Sequence, residues 1–523
     1  MAEVSLSDKL DHTTSNLRNL SFCSTNPRAV EDWVKSLPIH NVKALTSPVY
    51  QALRELVEVS MSPPKLLQCL EAMIPRLVDV IVGLNQLYLG SSISLNLEQR
   101  KAAELAHAIN TLVVRGYARV LVDGLKREED IVQVVGRMLE WMRAQSMRCY
   151  RLYLPQPKQL WRQINALHMY GESKEILGEY YTPCFESSKK RVSLLNLVLQ
   201  HVFLNRLYQN PLNAKQSVLL ANSLADLADM AKIKTHDVNE ACTFVLDINS
   251  DKEPEYISQS VSVKQPRYVD VSLVTEIINH RKEDSLQIVK RLGPDLVDQI
   301  RQLWSAAPMR KETRYEATGS LDFFVGGYQA FSRVTDGLSL GTFMERYHQE
   351  WLDDPMNPVS VSRKSIDPIY YKGKLKDQSA TGLALILNEE IDRLDNGELV
   401  AYRSPSSSKY TLSVVRRIEF QGKATYSLGM QNILHDPEPC IVQVMHSDGS
   451  SSGLMPAFKA DLFGKDEATS VILFTNLRLS SQFTLKVFHK NSVVLYKSKK
   501  TELVTGFVVA VTYEEVTDED EQM

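Results

Sequence analysis

An α+β multidomain chain is the fold class these 523 residues predict, with an all-α N-terminal half and an antiparallel β-barrel in the C-terminal half. Three observations carry the prediction. The length exceeds what one hydrophobic core serves, so several domains are expected. Apolar residues recur at three and four spacing through most of the first 305 positions, the period of helices with one buried face. From Leu321 onward the pattern changes to short alternating runs bounded by turn residues, the period of strands.

Taken in order, residues 1–26 are polar and read as a flexible N-terminal segment. Asn26-Pro27 followed by RAVEDWV starts the first helix, an N-cap with proline in the first turn. Helical periodicity continues through SPVYQALRELVEVSM, PPKLLQCLEAMIPRLVDVIVGL, LEQRKAAELAHAINTLVVRGYARVLV and EEDIVQVVGRMLEWMRAQSMRCYRLYL. The helical region is thus 27–305, a bundle or repeat-like array with a possible internal boundary near 155 and a short β connector at 241–270. The apolar run LVDVIVGLNQLYL contains Asp79 and Asn85 and is too short to cross a bilayer, so it reads as a buried helix. Trp141, Tyr150, Tyr153, Trp161 and Tyr170, at helical intervals, read as core. A β-barrel is expected over 306–436, with a helical insertion at about 336–352 (DGLSLGTFMERYHQEW); 437–515 reads as an additional small β-domain or a barrel extension, and 516–523 as a solvated acidic tail.

Composition narrows the function. A net charge of −3 argues against a broad electrostatic grip on nucleic acid, so any anion site is local. The six cysteines are scattered without a C-x-x-C pair, which suits neither a zinc site nor a disulfide framework and points to a reducing, cytoplasmic compartment. No secretory signal is visible at the N-terminus. The histidines form no H-E-x-x-H, and no phosphate-binding glycine loop occurs, so neither a metal nor a nucleotide cofactor is indicated. Gly449-Ser-Ser451-Ser-Gly453 matches the G-x-S-x-G of serine hydrolases, with Asp461 and His489 following in order. The strands around it look antiparallel and Pro456 follows closely, so a serine-rich turn is the simpler reading.

Two motifs remain. Arg310-Lys-Glu-Thr-Arg314 stands where helices give way to strands, and Asp377-Gln-Ser379-Ala-Thr-Gly382 lies between two strand-like runs. The pair R-x-x-x-R then D-x-S-x-x-G, followed by GELVAYRS, YTLSVVRRIEF and ATYSLGMQ, resembles the PilZ family over roughly residues 309–434. The resemblance implies a six-stranded barrel that binds cyclic di-GMP through Arg310, Arg314, Asp377, Ser379 and Gly382, and a receptor rather than an enzyme. The residue types fit such a ligand. Arginine can chelate a phosphate while stacking on a purine, and an ionised carboxylate accepts from the guanine N–H edge. Lys311 is a further basic candidate. The spacing departs from the family pattern, because 62 residues separate Arg314 from Asp377; an excursion through the helical insertion accounts for it, while Arg363-Lys364 offer an alternative basic pair nearer Asp377. The motifs have second copies. Arg115-Gly-Tyr-Ala-Arg119 reads as a solvated helix face, and Asp448-Gly-Ser450-Ser-Ser-Gly453 as a hairpin turn.

The expected function is therefore an effector that converts cyclic di-GMP binding into changed interdomain geometry or partner binding, with a protein partner on the helical half. The alternatives are a structural adaptor whose barrel has lost its ligand and, more remotely, a hydrolase using Ser451.

Overall fold

The computed structural model describes residues 6–38, 41–89, 95–185, 190–208, 212, 214–236, 242–259, 263, 265–280, 286–293, 296–297, 300–301, 304, 313–353, 370–388, 394–404, 407–422, 425–446, 450–463, 469–475 and 483–516. The chain divides into two compact units, one formed by Met1–Ser91, Leu95–Gln209 and Ser217–Pro308, the other chiefly by Met309–Met523. The fold is α+β and multidomain, as the two periodicities required.

The first unit is helical: α1 (Pro27–Ser36), α2 (Val42–Glu58), α3 (Pro63–Tyr88), α4 (Leu97–Asp123), α5 (Glu128–Arg151), α6 (Leu160–Ser173), α7 (Leu194–Tyr208), α8 (Ala214–Asp229), α9 (Ser272–His280) and α10 (Leu286–Leu292). Side-chain caps set several starts. Asn26 accepts from the Arg28 amide, and Asn96 with Gln99 forms a capping box at α4. The α3 stretch holding Asp79 is a buried helix, and no described helix is long and apolar enough to cross a membrane. The connector expected near 241–270 belongs to a four-stranded antiparallel sheet whose order is Lys232–Lys234, Pro266–Asp270, Cys242–Asp247, Glu255–Tyr256.

The segment before α1, read from sequence as flexible, lies strapped to the helices. Leu6, Leu10 and Leu20 are buried, and the amides of Asn16 and Leu17 donate to the Glu58 carbonyl. Here the reading of a solvated face at Arg115 and Arg119 is corrected for Arg119, while Arg115 remains partly exposed. Arg119 is 2% exposed and donates to the Val57 carbonyl and the Ser15 hydroxyl, while Arg115 pairs with Asp11 at 2.8 Å. The helical spacing is right, but the polar strap supplies partners that local sequence does not reveal.

The second unit holds two closed six-stranded antiparallel barrels. In the first, strands β8 (Ser320–Val325), β9 (Tyr370–Ser379), β10 (Gly382–Leu387), β11 (Leu399–Arg403), β12 (Tyr410–Gly422) and β13 (Thr425–His435) run in the order β10-β13-β12-β11-β8-β9, and a β9–β10 pairing closes the ring. A two-residue strand, β7 (Tyr315–Glu316), continues the line of β8 along β9. The second barrel, β14 (Glu438–His446), β15 (Met455–Asp461), β16 (Ser470–Thr475), β17 (Phe483–Phe488), β18 (Val493–Val504) and β19 (Val508–Glu515), runs β14-β15-β16-β19-β18-β17 around its own ring. Numbering the strands one to six in each barrel gives the same cyclic order.

The insertion between β8 and β9 starts earlier than expected. Helices Gly327–Val334, Leu340–Tyr347 and Gln349–Asp353 follow β8, so GYQAF is already helical ahead of the expected start at about 336. Gly326 at φ +96° makes the turn that ends β8, a conformation other residues resist. Phe331, Phe343 and Met344 from these helices join Leu399, Leu412 and Ile433 of the first barrel and Phe458, Leu473 and Phe488 of the second in one apolar cluster. The second barrel also has its own interior, built on Val442, Phe474, Leu485 and Val509.

Candidate functional site

The D-x-S-x-x-G motif is the β9–β10 hairpin. Ser379 faces Gly382, Gln378 faces Leu383, and Asp377 faces Ala384, after which the register slips at a bulge so that Leu375 faces Leu385 and Lys374 faces Ile386. Residues directly opposite in a ladder share a face of the sheet. On β10, Leu383, Leu385 and Leu387 point into the barrel, so by strand alternation Gly382, Ala384 and Ile386 take the opposite, outer side, where Ala384 is still covered. Asp377 and Ser379 therefore point outward together with Lys374, although even and odd positions of a regular strand would point apart. The bulge at Lys376 re-aims the carboxylate, a common use of bulges next to functional groups.

The motif glycine has a packing reason. A Cβ at position 382 would sit 2.5 Å from the Met430 carbonyl oxygen, so the close approach of β13 requires glycine there. The hairpin is fixed further by the Asn432 amide donating to the Thr381 carbonyl at 2.9 Å, and by a long hydrogen bond of 3.4 Å from the Ser379 hydroxyl to the Gly382 carbonyl.

Arg314 reaches this hairpin despite the intervening chain. Glu316 faces Asp377 and Tyr315 faces Gln378 across β7–β9, which lays the preceding residue over the motif. The Arg314 Nη1 donates to Asp377 Oδ1 at 2.7 Å, with the side chains 39% and 22% exposed. The excursion between the two residues thus returns Arg314 to Asp377. Arg310, Lys311, Arg363 and Lys364 lie outside the described residues. What sequence reasoning overlooked is the alternation K-G-K-L-K at 372–376, whose three lysines are exposed along β9; the signal was legible as a strand with one cationic face.

The second copy of the D-x-S-x-x-G motif is only partly described. Asp448 and Gly449 lie outside the described residues. Ser450 to Gly453 belong to the connection between β14 and β15, which is the first hairpin of its barrel, whereas β9–β10 is the second. The hydrolase alternative fails on geometry. Ser451 bridges Met445 near one end of β14, while His489 lies beside Glu438 at the other, its Nδ1 3.4 Å from the carboxylate. The turn joins two antiparallel strands, not a strand and a helix, as the nucleophile elbow requires. Among the described residues no group of three His, Cys, Asp or Glu side chains is placed to hold a metal.

One buried polar network in the helical unit competes for attention. Glu140, fully buried, accepts from the amides of Cys184 and Phe185 at 2.8 and 3.0 Å, and from the Tyr181 hydroxyl. Arg137 bridges it to Glu71, with a two-pronged contact at 3.0 and 3.1 Å, and Tyr117 donates to the same Glu71. Burial, then the neighbouring carboxylates, pushes the Tyr117 and Tyr181 hydroxyls well above their ordinary range. Perturbed groups often mark functional sites, but here the charges answer one another within the core and pin the segment after β1 (Tyr180–Tyr181) to α5.

Comparison with known proteins points to cyclic di-GMP receptors, through the helical unit and along most of the chain. Residues 28–237, the greater part of the helical unit, match the family described as "Cyclic-di-GMP receptor FimW, N-terminal domain". The chain is also similar to the protein named "Cyclic-di-GMP receptor FimW" of Pseudomonas aeruginosa, at 22% identity, with 86% of this chain and 84% of that protein covered.

Proposed function

We propose that this chain, a relative of a cyclic di-GMP receptor along most of its length, is itself a cyclic di-GMP-binding effector and not an enzyme. The observation that carries the reading is the 2.7 Å pairing of Arg314 with Asp377 on the outer face of the β9–β10 hairpin. One group is suited to a phosphate and a purine face, the other to the guanine N–H edge. Ser379 adds a hydroxyl, Gly382 holds the hairpin against β13, and Arg310 and Lys311 would supply further positive charge from the segment just before Arg314.

In this reading Arg314 and Asp377 satisfy each other until the nucleotide arrives. An ion pair this exposed contributes at most about 1 kcal/mol, so a ligand offering both a phosphate and a guanine edge outcompetes it. Arg314 then turns from the carboxylate to the ligand. Because the arginine segment is also where the chain passes from the helical unit to the barrels, its repositioning biases interdomain geometry, provided the nucleotide binds the two arrangements with different affinity. The output is altered binding of a protein partner by the helical unit. Six cysteines, all free thiols, support action in a reducing compartment.

Calorimetric titration of the full chain with cyclic di-GMP tests the reading. Binding is expected, with Asp377→Ala weakening it about 10- to 100-fold through loss of charged hydrogen bonds and Arg314→Ala comparably. Absence of heat from the unaltered chain, under conditions where it is folded, would leave the adaptor reading in its place.

A further inference from the structure

The outer face of the first barrel carries a cationic feature that neither motif includes. An open depression is lined by Gly319, Ser320, Lys372, Gly373, Lys374, Ile386 and Asn388. It adjoins the candidate site by construction. Lys374 precedes Asp377 by three positions on β9, which is about 10 Å of extended strand, and the bulge brings both side chains to one face. Ser320 stands directly across from Lys374, and Asp322 directly across from Lys372. Asp322 offsets the charge of Lys372, so the net attraction for an anion centres on Lys374.

We infer that this depression is a phosphate subsite, in which Lys374 takes a phosphodiester group of the cyclic dinucleotide whose guanine edge engages Asp377. The inference rests on the receptor reading above. Lys374 supplies the charge, the Ser320 hydroxyl and the Asn388 amide supply neutral hydrogen-bonding groups, and Ile386 offers an apolar floor for the ribose between phosphate and base. Arg314 and Lys374 then grip the ligand from the two sides of Asp377, which fixes its direction along the strand.

The test is calorimetry on the full chain with cyclic di-GMP at low and high salt, comparing the unaltered protein with Lys374→Gln and Lys374→Arg. Lys374 is exposed, so neither change disturbs the core. Lys374→Gln is expected to weaken binding about 5-fold at low salt and to flatten the salt dependence, and Lys374→Arg to restore both. Unchanged affinity and salt response in Lys374→Gln would overturn the subsite and leave the receptor reading standing. Failure of Lys374→Arg to restore binding would overturn the role of charge there. No binding by the unaltered chain would overturn both proposals, which separates the two kinds of failure.

Discussion

The two barrels share a strand order, yet they treat the same hairpin differently. In the first barrel the connection from its second to its third strand is a tight turn at 380–381, preceded by a bulge that turns Asp377 outward beside Arg314. In the second barrel the equivalent ladder, β15–β16, runs in unbroken register from Ala457 to Asp461. Its carboxylate, Asp461, accepts from Ser470 on the neighbouring strand and meets no arginine among the described residues. The chain beyond it is bonded to the first barrel, with Leu462 bridging Leu434 and the Phe463 amide donating to the Ile433 carbonyl at 2.8 Å. Topology alone therefore does not confer a binding site. One slipped register, and the arginine it brings beside a carboxylate, distinguish a candidate receptor from a packing module.

Three measurements break or sharpen this contrast. The largest effect is expected where the barrels meet. Phe331 is 1% exposed, with its ring 5.5 Å from Phe343 and 6.4 Å from Phe458. Phe331→Ala should cost about 3–5 kcal/mol in urea unfolding of the barrel unit; a cost under about 1 kcal/mol would mean that the cluster between the barrels does not bind them. Next come the two motif glycines. Gly382→Ala forces a methyl against the Met430 carbonyl and should destabilise by about 1–3 kcal/mol while weakening nucleotide binding. Gly453→Ala has nothing within 4 Å to strike and should stay within about 0.5 kcal/mol. Equal costs would erase the distinction between the hairpins.

The smallest effect concerns pH. Burial, the largest influence, lowers the pKa of His489 at the end of β17; Lys459 and His348 act in the same direction and Glu438 opposes them. A histidine with a depressed folded value contributes stability that is whole above its unfolded pKa near 6.5 and is lost as pH falls below it. Hydrogen-exchange protection of β14 and β17 should therefore decline more between pH 7 and pH 5 than that of β11 and β12. Equal declines would remove His489 as the cause.

Much of this was legible in the residues, for identifiable reasons. Helical periodicity survives wherever one face is buried, and alternation located most strands of both barrels. β15 is faint in the sequence because Pro456 and small residues dilute its alternation, and the early start of the insertion is hidden because the five residues GYQAF fit either period. For the candidate site, the D-x-S-x-x-G letters locate the hairpin, but nothing in them announces the bulge, which arises from pairing with a strand of different register. Nor does sequence show that β7 would lie along β9, since that contact spans the whole insertion. Arg119 teaches the same lesson in reverse, because one of its partners, Ser15, comes from a segment over one hundred residues away.

Closure of each ring has a consequence for life at high concentration. Every strand of both barrels has neighbours on either side, so neither sheet offers a long row of unpaired amides and carbonyls on which a second molecule can template itself. Two sheets can stand in tandem on one polypeptide without inviting edge-to-edge polymerisation, and hairpin loops are left free to diverge in chemistry without endangering colloidal behaviour.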